Sequence, residues 1–213
     1  MGTGASTIVD DLRGLKVLVI GDVMVDSYLW GHVGRISPEA PVPVVQVTER
    51  SARLGGAANV ALNVHALGAE PYVLSITGND PDADRLAGLF HQVGLTSEGL
   101  LRSPGRRTTV KTRVISGHQH IVRVDEESEE DLDRQEEDLL LAKARELLGS
   151  GDFSVVIFED YDKGVLTERV IEGVIAAAGA AKVPVAVDPK KRNFFAYKGV
   201  QLFKPNMKEL REG

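Results

Sequence analysis

Lys16-Val17-Leu18-Val19-Ile20-Gly21-Asp22-Val23-Met24-Val25-Asp26 is the stretch on which the fold turns, answered further along by Gly55-Gly56-Ala57-Ala58-Asn59-Val60-Ala61. Lys16 to Ile20 reads as a short apolar strand that breaks at Gly21. Asp22 and Asp26 then place two carboxylates at the strand's exit. A strand that ends in acids, answered by a Gly-Gly turn opening a helix, is how α/β enzymes shape a cup for a polar small molecule.

Outward from that stretch, short apolar runs alternate with segments of helical spacing. Further strands are predicted at 72–76, 153–158, 183–187 and 200–203. Leu86, Leu89, Phe90 and Val93 share one helix face, as do Val170, Ile171, Val174, Ile175 and Ala178. Thr167 is placed to cap the second of these helices. Apolar strands separated by helices predict a parallel sheet covered on both faces. Two segments break the rhythm. Residues 27–53, with Pro38, Pro41 and Pro43 among alternating valines, read as an edge strand and its approach. Residues 108–125 read as a hairpin about Gly117. Together they predict a small β-sheet standing off the main one, a common way to build a lid. The acids from Asp125 to Asp138 read as a solvated linker into an amphipathic helix.

Composition narrows the function classes. A formal charge of −6 argues against a nucleic-acid surface, since phosphate contacts need clustered Lys and Arg. The absence of cysteine excludes disulfides, thiolate metal sites and cysteine nucleophiles. No apolar run is long enough to span a membrane. Met1 to Ser6 has no signal-peptide pattern and reads as a loose leader or cloning remnant. The expectation is a cytoplasmic protein with no nucleic-acid or membrane partner.

Several groups could carry chemistry. A carboxylate such as Asp22 or Asp26 at a strand exit can accept two hydroxyl hydrogen bonds from a polyol, or serve as a turn acid. Gly55 and Gly56 permit close backbone approach to a ligand. Asn59 and Asn63 share a helix face, and if buried they need partners that ligand hydroxyls would supply. A tight turn with structural asparagines is the alternative. Asp160 follows strand 153–158, and Asp188-Pro189-Lys190-Lys191 follows strand 183–187, with cations able to face phosphate. Asn206 and Glu209 follow strand 200–203 at a spacing that could order waters around Mg²⁺. Each signal alone could be a cap. Their recurrence along one sheet edge predicts a shared rim, with Asp26, Asn59 and Asp160 on it.

These residues resemble the ribokinase-like carbohydrate kinases, the phosphofructokinase-B family, over essentially the whole chain. The resemblance rests on Gly21 to Asp26, on Arg35-Ile36-Ser37-Pro38-Glu39-Ala40-Pro41-Val42-Pro43-Val44-Val45, and on Gly55 to Ala61. It continues in Asp160-Tyr161 with Lys163-Gly164, in Asp188-Pro189-Lys190, and in Pro205-Asn206 with Glu209. The Arg35-to-Val45 string points to the heptose branch of the family.

The resemblance implies a three-layer α/β/α fold with a mostly parallel sheet and a small β lid. It implies one domain over residues 1–213, with the body at about 14–26, 54–107 and 125–213 and the lid at about 27–53 and 108–124. Asp22, Asp26, Gly55, Gly56, Asn59, Asn63 and Asp160 would then bind sugar. Lys190, Asn206 and Glu209 would serve ATP, with Glu209 reaching Mg²⁺ through water. The implied reaction is ATP-dependent phosphorylation of a heptose 7-phosphate at O1, feeding lipopolysaccharide or nucleotide-heptose synthesis. Other sugars, or a non-catalytic sugar-binding fragment, are the alternatives. The lid would also pair two subunits into a dimer. From their charge, Arg106, Arg107, Lys111 and Arg113 are candidates for a sugar phosphate, or a solvated face. Relatives carry a later Gly-Ala-Gly-Asp turn that holds the catalytic Asp, and no such run occurs here. The resemblance therefore implies the C-terminal part of the fold to be absent, no catalytic residue in this chain, and little activity alone. An edge left uncovered would imply marginal stability or self-association.

Overall fold

The computed structural model describes residues 10–212, so the run read as a leader lies outside the described residues. A six-stranded sheet forms the body, from β1 (Lys16–Gly21), β4 (Glu70–Gly78), β5 (Leu100–Ser103), β8 (Phe153–Glu159), β9 (Val185–Asp188) and β10 (Leu202–Phe203). Its order is β10-β9-β8-β1-β4-β5, and every pairing is parallel. The side chains of β1 alternate across it. Val17 and Val19 face a core completed by α1 (Ala57–Ala66) and α2 (Pro81–Gln92). Leu18 and Ile20 face the opposite core, filled by α3 (Arg134–Gly149) and α4 (Glu168–Ala181). Helices on both faces explain why β1 is apolar throughout: each face of the strand is buried.

Local chemistry sets the helix starts. Thr167 caps α4 by accepting from the Val170 N–H at 3.2 Å. Asp133 and Glu136 form a reciprocal capping box on α3, so the acidic stretch does lead into a helix. Asp80 caps α2 and also accepts from the Thr108 N–H at 2.8 Å, tying that helix to the start of β6 (Thr109–Ser116).

The second sheet has four strands in the order β3-β2-β6-β7, built from β2 (Val23–Ile36), β3 (Pro43–Gly56), β6 and β7 (Gln119–Glu126). The expected hairpin about Gly117 is β6 and β7. Residues 27–53 are not one edge strand but the larger part of two 14-residue antiparallel strands, with β3 at the edge. The prolines misled because Pro38 and Pro41 sit in the turn between these strands and Pro43 is the first residue of β3. Strand β5 was not anticipated: four residues against β4 leave no periodicity to read. The roots of the second sheet enter the body, since Val23, Val25, Leu54 and Val110 are buried with Val17, Leu86 and Phe90.

Candidate functional site

Asp22 lies between β1 and β2, and its main chain already fixes the cup. Its carbonyl oxygen accepts from the Ala57 N–H at 2.9 Å, so the start of α1 rests against the end of β1. Gly56 makes that approach possible: it sits at φ +58°, and a Cβ there would lie 2.2 Å from the Asp22 carbonyl oxygen. Gly55 gives room of another kind, because its missing Cβ would lie 2.8 Å from Asp26 Oδ2. The two glycines thus end β3 rather than form a free turn, and they seat Asp22 and Asp26 rather than line the cavity themselves.

The two acids then part ways. The Asp22 side chain is buried and accepts three backbone N–H groups: Tyr161 at 2.8 Å, Lys163 at 3.2 Å and Val165 at 3.1 Å. Burial pushes its carboxyl up to about 6, with Asp160 adding to the rise and those N–H groups opposing it. The sugar-binding role expected of Asp22 is not what this geometry supports; it staples the loop after β8 to the end of β1. Asp26 instead faces a cavity of about 430 Å³, which Asn59 also lines. The Arg113 guanidinium donates to Asp26 Oδ1 at 2.6 Å.

Asn59 and Asn63 are both exposed, so the premise of two buried asparagines fails. Asn59 still lines the cavity, whereas Asn63, one turn on, does not. Asp160 is only 1% exposed and accepts from the Tyr197 hydroxyl at 2.6 Å and the Asp162 N–H at 2.9 Å. Burial and the Asp160 charge push the Tyr197 phenol well above its usual range. The expected rim therefore gathers Asp26 and Asn59 but not Asp160, which is sealed beneath it. Its spacing at a strand exit looks the same in sequence whether the side chain points out or in.

A second cluster lies along the same carboxyl edge, where β8 and β9 end. Glu159 is buried, and its carboxyl is pushed up to about 7, first by burial and then by Asp188 nearby. Lys204 donates to Asp188 at 3.1 Å, and Lys190 pairs with Glu209 while lying over the Tyr161 ring at 5.6 Å. Burial would raise the Glu209 carboxyl, yet Lys190 and the Asn206 N–H hold it below the usual range. Asn206 and Glu209 form a reciprocal capping box: Asn206 Oδ1 accepts from the Glu209 N–H at 3.0 Å and Glu209 Oε2 from the Asn206 N–H at 2.7 Å. Both Glu209 oxygens are thus engaged, which fits contact with Mg²⁺ through water rather than direct ligation. Among the described residues no cluster of three or more His, Asp or Glu could hold a metal ion directly.

Of the four basic candidates, Arg113 is the one whose side chain bonds a cavity-lining residue, although Lys111 is the strand partner of Asp26. Arg106 donates to the Glu130 and Lys163 carbonyls, Arg107 pairs with Glu126, and Lys111 pairs with Asp125 and Glu127. Residues missed in the sequence are Tyr28 and Arg53, whose cavity positions follow only from the pairing of β2 with β3. A larger cavity of about 600 Å³ lies at the opposite, amino edge of the sheet, beside Lys16, Glu70 and Asp152. Ligands of doubly wound sheets bind outside the carboxyl ends, so the smaller cavity is the candidate site. Among the described residues no helix is long and apolar enough to cross a membrane.

A three-layer α/β/α body with a second, rooted β-sheet beside it is the ribokinase-like fold. The chain belongs to the pfkB family of carbohydrate kinases, whose profile matches residues 15–212. It is 44% identical over 207 residues to the bifunctional protein HldE of Pelobacter propionicus, and 50% identical over 202 residues to that of Caulobacter vibrioides. These matches take in 95% and 93% of this chain but only 41% and 40% of the relatives, so it spans about two fifths of their length. Phosphofructokinase-2 from Escherichia coli shares the fold at TM-score 0.68 and 18% identity, covering 94% of this chain and 64% of that one. Arabidopsis thaliana ribokinase, solved with ribose and ATP, does so at TM-score 0.62 and 16% identity, covering 94% and 62%.

Proposed function

We propose that the cavity beside Asp26 is the acceptor-sugar site of a kinase that, in the intact enzyme, phosphorylates a heptose 7-phosphate at O1. The observation that carries this is the meeting of Asp26 and Asn59 on one cavity at the carboxyl edge, in a chain about half identical to an HldE protein. A carboxylate beside an amide offers the mixed acceptor and donor set that vicinal hydroxyls require. In the transfer, the acceptor O1 forms a bond to the γ-phosphorus of ATP as the bond to the β–γ bridging oxygen breaks. The O1 proton would pass to the Asp that relatives carry on their Gly-Ala-Gly-Asp turn, and ADP leaves. Lys190 would face the ATP phosphates, with Glu209 and Asn206 ordering water around Mg²⁺, whose charge eases transfer. Like its substrates, the assembly is part of the proposal: a dimer through the second sheet and a cytoplasmic setting.

A second reading, a sugar-binding module without phosphoryl transfer, draws on Glu209, whose two carboxylate oxygens are already engaged, Oε1 by Lys190 and Oε2 by the Asn206 N–H. Titration calorimetry with D-glycero-D-manno-heptose 7-phosphate, fructose 6-phosphate and ribose tests the sugar site. Phosphorus NMR with heptose phosphate, ATP and Mg²⁺, on a protein extended past Gly213, tests the transfer. Selective heptose-phosphate binding with a 1,7-bisphosphate product supports the kinase; binding without product supports the module; no binding to any of the three refutes both.

A further inference from the structure

We infer that Arg53 and Arg113, set around Tyr28 on the cavity-facing side of the second sheet, form a binding site for the phosphate monoester of the acceptor sugar. We further infer that this phosphate unmasks Asp26 by drawing Arg113 away. The inference rests on the acceptor-sugar reading of the cavity and adds a rule of substrate selection to it.

The placement follows from strand register. Asp26 and Tyr28 are two apart on β2, so their side chains share a face. Arg53 lies directly opposite Asp26 on β3, and Arg113 directly opposite Tyr28 on β6. Cross-strand partners share a face too, so both guanidinium groups come to Tyr28 from neighbouring strands. Each lies 5.4 Å from the centroid of its ring. Tyr28 and Arg53 line the cavity with Asp26. Stacking on an aromatic face holds a guanidinium in one plane and leaves its edge free to donate.

The two arginines differ in their partners. Arg113 is committed to Asp26 at 2.6 Å, with a weaker bond to the Lys111 carbonyl at 3.3 Å. Arg53 makes no ion pair among the described residues, and its only recorded interaction is with the Tyr28 ring. The site thus has one free guanidinium, one that can be exchanged, and one carboxylate with Oδ1 engaged by the latter. A sugar hydroxyl reaching for Asp26 must compete with Arg113. A phosphate dianion bridging Arg53 and Arg113 offers Arg113 a better partner, because guanidinium and phosphate match bidentately. Asp26 then regains an oxygen for the hydroxyl. Phosphate and hydroxyl binding become linked through a single side chain, so a neutral sugar meets a carboxylate with Oδ1 engaged while its phosphate ester frees that oxygen.

Calorimetry on the full chain tests this, using D-glycero-D-manno-heptose, its 7-phosphate, inorganic phosphate and ADP. The wild type is expected to bind the 7-phosphate at least tenfold more tightly than the neutral sugar, the span of a charge-assisted hydrogen bond. Arg113→Met is expected to lose that preference from both sides, binding the phosphate ester more weakly and the neutral sugar more tightly. Arg53→Met is expected to weaken only the ester, and Arg113→Lys to fall between wild type and Arg113→Met. Circular dichroism melts identify any variant that fails to fold, and the lysine variant keeps the test open if Arg113→Met does. Equal affinity for both sugars, changed equally by Arg113→Met, overturns the inference while leaving a sugar site. ADP or inorganic phosphate binding at Arg53 as tightly as the ester also overturns it, because the anion is then not the acceptor's. If neither sugar binds the wild type, the acceptor-site reading itself fails and the inference falls with it.

Discussion

Replacing Asp22 with Asn should make the stability of this protein less sensitive to pH, in a direction opposite to that of most acidic residues. The Asp22 carboxyl has an ordinary value of 3.8 and is pushed up to about 6 in the fold, mainly by burial. Because the folded value lies above the unfolded one, the protonated form stabilises the fold. That contribution is complete below the ordinary value and is lost as pH rises through about 6. The full gap corresponds to roughly 3 kcal/mol, of which about 2 kcal/mol is lost between about pH 4.5 and about pH 7.5. Asn cannot ionise and does not have this loss. It has a fixed cost instead: its carbonyl can keep the Tyr161 and Lys163 N–H groups, but its amide then faces the Val165 N–H. One buried donor without a partner costs about 1–3 kcal/mol. Wild type should therefore be clearly the more stable at acid pH, with the gap closing by about 2 kcal/mol towards neutrality. Urea unfolding at three pH values, followed by Trp30 fluorescence and circular dichroism, measures it. The other titrating groups are common to both proteins, so the difference isolates Asp22. A gap that stays constant, or widens with pH, refutes the reasoning.

Gly56→Ala should destabilise the protein by about 2 kcal/mol or more, because it adds a strained left-handed residue and drives a Cβ against the Asp22 carbonyl; a thermal melt within a degree or two of wild type would contradict this. Tyr197→Phe should cost about 1–3 kcal/mol by leaving Asp160 Oδ2 buried without its donor, read by the same urea titration. Asp26→Asn should abolish sugar binding in calorimetry yet change stability by no more than about 1 kcal/mol, since its ion pair with Arg113 is partly solvated.

How much of this could be read in the sequence depended on whether a signal was local. The parallel body was legible because burial on both faces demands apolar strands, and the cap at Thr167 was legible because it acts within one turn. The second sheet was only half legible. Its hairpin about Gly117 is local, whereas β2 pairs in parallel with β6 across a long sequence gap that no periodicity reports. The site suffered most from the same limit. Asp22 and Asp26 look equivalent at a strand exit, yet one turns to the loop after β8 and the other to the cavity. Asn206 and Glu209 have the spacing of a ligand pair and also that of a capping box, and the spacing alone did not reveal that the fold forms the box. Arg53 and Tyr28 carried no motif at all.

The continuity of β2 has a consequence for how the site can move. The strand starts in the body core at Val23 and runs unbroken to Ile36, with Asp22 stapled to residues 161–165 at its foot. Gly56 presses the partner strand against that same foot. A hinge at the root would break buried packing and three hydrogen bonds together, so the root is stiff. Bending is easier further out, where the ladder with β3 slips register between Trp30 and Gly31 and again between Val33 and Arg35. Asp26 and Tyr28 lie below both irregularities and move with the body; the exposed tip beyond them moves alone. The cup therefore meets its ligand preformed on the Asp26 side, and adjustment falls to side chains reaching in from β3 and β6. A substitution that loosens the root, such as Gly56→Ala, should then weaken sugar binding as well as stability, although Gly56 lines no part of the cavity.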